Sequence, residues 1–76
     1  MNAKQILEAL GGKENLKEIE ACITRLRLKL ADMNLLNEKR LRSLGALGIV
    51  KLGGGNVQVV LGTEAELVEQ EIRKFL

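Results

Sequence analysis

The sequence predicts an α+β fold: one four-stranded antiparallel sheet with three helices on one face, in the order α-β-β-α-β-β-α, as a single domain over residues 1–76. Three observations carry that expectation. Arg25-Leu26-Arg27-Leu28-Lys29-Leu30 alternates strictly between charged and apolar residues, the period of a half-buried strand. Ile49-Val50-Lys51-Leu52 and Val57-Gln58-Val59-Val60-Leu61 are two apolar runs joined by Gly53-Gly54-Gly55-Asn56, a hairpin signal. Apolar residues at helical spacing lie before, between and after the two strand pairs, so helices cover one face of the sheet and leave the other free.

The first helix rests on Ala3, Ile6, Leu7 and Leu10, with Asn2 as N-cap, Gln5 closing a capping box and Gly11-Gly12 as the stop. Leu16 to Ile23 reads two ways. Leu16, Ile19 and Ile23 fit a helix, while Ile19-Glu20-Ala21-Cys22-Ile23 alternates like a strand. A second strand follows at once, so a first strand from about Glu18 is the consistent reading, with Thr24 in or beside the connection. Ala31 to Leu36 is a connection with buried anchors. Asn37 then caps a helix over Glu38 to Leu44, with Leu41 and Leu44 inward and Gly45 as the stop. The triple glycine is a hairpin turn and not a phosphate cradle, because no helix start follows it. Thr63 and Glu66 suggest a second capping box, and the last helix, to about Lys74, buries Ala65, Val68, Ile72 and Phe75.

Composition narrows the function classes. The chain has 76 residues, of which 46% are apolar, with one Phe and no Trp or Tyr, so its core is aliphatic. A single cysteine fits a reducing compartment, and with no histidine present a zinc site has too few ligands. No metal or other cofactor is expected. The net charge of +2 and the lack of aromatic stacking platforms argue against nucleic acid as a partner. A small basic nucleic-acid binder is the weakest of the functional readings, and it requires steeply salt-dependent binding. No apolar run reaches the roughly 20 residues that cross a bilayer, and the first residues lack a signal-peptide core. The expectation is a soluble, cytoplasmic domain without membrane insertion of its own.

Cys22-Ile23-Thr24-Arg25-Leu26-Arg27 is the one stretch where a nucleophile stands beside anion-binding groups. Guanidinium groups next to a thiol favour the ionised, reactive form. Alternation places Arg25 and Arg27 on one face, and their planar forks suit phosphate oxygens better than lysine does. The set suggests phosphoryl transfer through S-phosphocysteine. Against it stands a blander reading, an inert buried thiol beside a solvated basic strand. Spacing alone leaves both open.

Four blocks in order resemble a known family: Ile6 to Asn15 (Ile-Leu-Glu-Ala-Leu-Gly-Gly-Lys-Glu-Asn), Ala21 to Arg27, Leu44-Gly45-Ala46, and Val57 to Thr63. The chain resembles the enzyme IIB domain of the phosphoenolpyruvate-dependent sugar phosphotransferase system, in its glucose and N-acetylglucosamine branch. The resemblance implies the same fold. It further implies that Cys22 accepts a phosphoryl group from a phosphohistidine of a IIA partner and passes it to a sugar held by a membrane IIC partner. The domain would then work in the cytoplasm, at the inner face of the plasma membrane when joined to IIC. Arg25 and Arg27 are implied in delivery to the sugar, and Thr24, with the backbone of Ile23, in holding the phosphate. Gln58 matches a position near the cysteine loop, and Glu20 stands where this branch often has Asp; both are supporting candidates. A second reading keeps the phosphorylation and drops the sugar: a solitary regulatory module whose partner binding is switched at Cys22 by added charge.

Overall fold

The computed structural model describes residues 1–76. Its elements are α1 (Ala3–Ala9), β1 (Leu16–Cys22), β2 (Arg25–Leu30), α2 (Glu38–Ser43), β3 (Gly48–Gly53), β4 (Asn56–Val60) and α3 (Ala65–Arg73), with 3-10 turns at Met33–Leu35 and Gly62–Glu64. All neighbours in the sheet are antiparallel, in the order β1-β2-β4-β3. The two hairpins therefore join through β2 and β4, and the cysteine hairpin supplies one edge.

Alternation decides which side of the sheet is covered. Leu26, Leu28 and Leu30 of β2 and Val57 and Val59 of β4 are buried, in one cluster with Ile6, Leu7 and Leu10 of the first helical segment, Leu41 of α2 and Val68 and Ile72 of α3. Each such side chain contributes roughly 1.5–3 kcal/mol relative to exposure, so this face holds the sheet flat against its helices. The odd-numbered residues Arg25, Arg27 and Lys29 are exposed on the other side, where no helix lies.

Caps and turns set the ends. The Asn2 side chain accepts the Gln5 N–H at 3.0 Å, but Gln5 returns no bond, so half of the expected box forms. Asn37 caps α2 as expected, accepting the Arg40 N–H at 3.0 Å. The β3–β4 turn has φ +62° at Gly54 and +82° at Gly55, the signature of the two-residue type I′ connection. A Cβ on Gly55 would run into the Leu30 carbonyl, because this turn also packs on the end of β2. Lys51 Nζ donates to Glu38 Oε2 at 2.8 Å and ties β3 to α2. That hydrogen bond outweighs an opposing desolvation and, with the Lys51 and Arg42 charges, lowers the pKa of the Glu38 carboxyl. What the pair adds to stability is thus present at neutral pH and fades as pH falls through the folded-state value.

Four expectations are corrected. β1 starts at Leu16, not Glu18: Leu16 pairs with Leu30 and is buried, and the register shifts between Leu16 and Glu18. That bulge places Leu16 and Ile19 on the same face, and so gives a strand the spacing of a helix. The Ala31–Leu36 connection has no fully buried anchor; Met33 and Leu36 are half-buried against the core and Leu35 is exposed. The Thr63–Glu66 capping box does not form, because Thr63 lies inside the 3-10 turn and α3 starts without a side-chain cap. Phe75 is exposed, since the helix stops at Arg73 and no longer carries it to the core side.

Asn15 is the buried polar residue of the core. Its Nδ2 donates to the carbonyls of Leu10 at 2.8 Å and Asp32 at 3.0 Å, and its Oδ1 accepts the Asp32 N–H at 2.7 Å. One side chain therefore fastens the α1–β1 loop to the segment leaving β2. Asn15→Ala removes all three bonds and leaves buried backbone groups unpaired, a loss expected to be about 3 kcal/mol. Urea unfolding of the two proteins measures it, and a loss under about 1 kcal/mol would mean that water replaces the side chain.

Candidate active site

Cys22 is the last residue of β1 and Arg25 the first of β2, and they pair directly across the turn Ile23-Thr24. Residues facing each other in a ladder share a side of the sheet. Cys22, Arg25 and Val60 accordingly form one row, and Glu20, Arg27 and Gln58 form the next. Every side chain singled out in the sequence for this site, Cys22, Arg25, Arg27, Gln58 and Glu20, lies on the helix-free face or, for Ile23 and Thr24, in the turn at its end. The free thiol is half-buried, not sealed in the interior. Cys22 is not among the buried core residues.

The guanidiniums are uncommitted to carboxylates. Arg25 Nη1 donates to Gln58 Oε1 at 2.9 Å, a diagonal contact from β2 to β4, and neither Arg25 nor Arg27 makes a salt bridge. Glu20 faces Arg27 in register without an ion pair. A neutral amide thus steadies Arg25 while its positive charge stays available to an anion.

The turn has its own signature. Ile23 has φ +54° and Thr24 does not share the positive sign, which is the φ pattern of a type II′ connection. A β-branched residue there is a real outlier, costing about 1–3 kcal/mol. The Ile23 and Thr24 N–H groups make no hydrogen bond within the chain. The Thr24 carbonyl, by contrast, accepts the N–H groups of Leu61 at 2.8 Å and Gly62 at 3.0 Å. Two unpaired amides therefore lie in the turn next to the thiol, and Arg25 pairs with Cys22 while its guanidinium reaches across to Gln58 on β4. Leu61 and Gly62 had no chemical signal in the sequence, because they act through backbone N–H groups alone.

No enclosed pocket surrounds the sulfur. A hollow of about 520 Å³ runs beside the first half of β1 and meets the site only through Glu20 and Arg27. A thiol at a sheet corner, beside the turn residue Ile23 at 79% exposure, suits approach by another macromolecule better than capture of a small molecule. No helix is long and apolar enough to cross a membrane.

The relatives of this chain fall in one family. Residues 4–37 match the profile of the phosphotransferase system EIIB family. The chain is 46% identical over 74 residues to the N-acetylglucosamine-specific EIIB component of the phosphotransferase system of Streptomyces coelicolor, covering 97% of this chain and 95% of that protein. It is 47% identical over 73 residues to the N-acetylglucosamine-specific EIICB component of Bacillus subtilis, covering 96% of this chain but only 16% of that longer protein. The maltose-specific EIICB component of Escherichia coli is 45% identical over 71 residues, 13% of its length. In fold, the chain is similar to one domain of the IIabc component from Clostridium difficile, with TM-score 0.67, 23% identity, and 97% of this chain and 84% of that one covered.

Replacing Ile23 with glycine tests the strain in the turn. Release of the φ penalty outweighs the roughly 0.5–1 kcal/mol of added chain freedom, so Ile23→Gly is expected to gain about 1 kcal/mol. On a domain of this size that is a rise in Tm of about 4–8 °C by calorimetry, and a lower Tm would show that Ile23 is not strained.

Proposed function

The chain belongs to the EIIB family of the phosphotransferase system, and we propose that its phosphoryl carrier is Cys22, loaded by a IIA phosphohistidine and discharged to a sugar held by a membrane IIC partner. The observation that carries the proposal is the thiol paired with Arg25 beside two unpaired turn amides on an uncovered face. The names of its relatives support the amino-sugar branch, N-acetylglucosamine in two of those described, as the substrate class.

In loading, the Cys22 thiolate attacks phosphorus; the S–P bond forms as the N–P bond to the donor imidazole breaks, and the imidazole leaves with the electron pair. In delivery, a sugar hydroxyl oxygen attacks; the O–P bond forms, the S–P bond breaks, and the thiolate is regenerated while the hydroxyl proton leaves to base. Neither step needs a cofactor. Charge accumulates on the three equatorial oxygens of a loose transition state, so fixed donors do most of the work. Here those donors are the Ile23 and Thr24 N–H groups, the Thr24 hydroxyl and the Arg25 and Arg27 forks. Gln58 holds Arg25 across the sheet, and Glu20 tempers the field on the Arg27 side. The chain's own lack of histidine is consistent with a donor histidine supplied in trans.

Incubation with a phosphorylated IIA protein is expected to add about 80 Da to the wild-type chain and nothing to Cys22→Ser, read by intact-mass spectrometry. A wild-type chain left unmodified by several donors would refute the carrier role. Loading without any sugar phosphate, when IIC is supplied, would favour the regulatory reading instead.

Arg25→Lys keeps the charge and loses the fork. Delivery to sugar is expected to fall by about tenfold or more and loading by clearly less, in single-turnover assays of the two steps. Equal losses in both would remove the special part given to Arg25 in delivery.

A further inference from the structure

The cysteine turn is strained at Ile23 and presents two unpaired amides, so something outside the hairpin must hold it in that shape. The Cys22–Arg25 pair fixes one side of the turn. On the other side, the only backbone contact of Thr24 with another element is its carbonyl, received by Leu61 and Gly62. Leu61 has φ −117° and ψ −4°, in the right-handed region, and Gly62 has φ +74°, in the left-handed region. Successive right- and left-handed residues turn consecutive N–H groups inward as a cup for an electronegative atom. In this molecule the occupant of that cup is the Thr24 oxygen.

We infer that Gly62 is a positioning residue for the phosphoryl site: its left-handed conformation shapes the cup that seats the Thr24 carbonyl and so fixes the turn that bears the free Ile23 and Thr24 amides next to Cys22. The inference rests on the reading of Cys22 as phosphoryl acceptor. Gly62 opens the 3-10 turn that leads into α3. Arg73, at the far end of the same helix, donates through Nη2 to the Ile19 carbonyl at 2.6 Å, steadied by Glu69 at 2.9 Å. The hairpin bearing the thiol is thereby held at its turn by the segment before α3 and at β1 by the last turn of α3.

Steric room separates conformation from bulk at this position. A Cβ on Gly62 would have Leu47 Cδ1 at 3.8 Å as its nearest neighbour, an ordinary contact. A side chain fits, and what resists substitution is the backbone angle alone. Alanine rarely adopts that angle, whereas asparagine visits it more readily.

The test compares wild type, Gly62→Ala and Gly62→Asn in the full 76-residue chain. Amide resonances of Ile23 and Thr24 report the turn, hydrogen exchange at Leu61 reports the cup, and loading of Cys22 from a phosphorylated IIA protein reports function. Gly62→Ala should shift both resonances, speed Leu61 exchange and slow loading, each rate changing by about tenfold, with Gly62→Asn recovering most of it. Unchanged resonances and exchange in Gly62→Ala would overturn the inference, as would equal losses in both variants, which would indict bulk rather than conformation. If Gly62→Ala does not fold, Gly62→Asn alone decides against wild type: shifted Ile23 and Thr24 resonances with faster Leu61 exchange and slower loading support the inference, and unshifted resonances, whatever the loading rate, overturn it. A wild-type chain that takes up no phosphoryl group sinks the carrier reading, while the resonance and exchange comparison still judges what Gly62 does to the turn.

Discussion

Cys22 and Arg25 face one another across only two residues, and so short a connection permits a single register. From that register the neighbourhood follows by alternation: Arg27 and Gln58 must share the thiol's side of the sheet, and Leu26, Leu28 and Val59 must face the helices. The core and the site are therefore two sides of one pattern. Burial of the leucines on β2 is what keeps the guanidiniums on the outside.

The rest of the fold acts on that pattern from its two ends. At one end, Asn15 joins the loop before β1 to the segment after β2. At the other, Leu61 and Gly62 receive the Thr24 carbonyl. Between these fastenings the hairpin has little freedom to shear, which suits a site where charge balance depends on donors already in place. On the proposed mechanism the partners bring the motion and this domain supplies a fixed surface.

Much of this could be read from the residues. The strict alternation of β2, the glycine-rich turn and the spacing of α3 state their structures locally, and the Cys22–Arg27 stretch marks itself as the candidate site through its residue types. What stayed hidden was non-local or carried by backbone. The strand order β1-β2-β4-β3 depends on which hairpin edges meet, and no local spacing encodes that. Thr63 looked like a helix cap because its residue type and spacing were right, yet the chain enters α3 through a 3-10 turn held by another element. Gly62 drew no reading of its own, because a glycine that acts through its amide and its φ leaves no side-chain signature. Leu16 and Ile19 misled in the other direction, since a bulge imitates helical spacing.

That bulge has a parity consequence. Leu16 and Cys22 are six positions apart, an even separation, so an unbroken pleat would put both on the same side. The irregularity at Lys17 adds one step, and Leu16 can sink among the helices while the sulfur, about 17 Å further along, emerges on the opposite surface. Straightening it would force a choice between a stranded leucine and an entombed thiol, so an unremarkable lysine far from the chemistry marks the place where inside and outside are assigned.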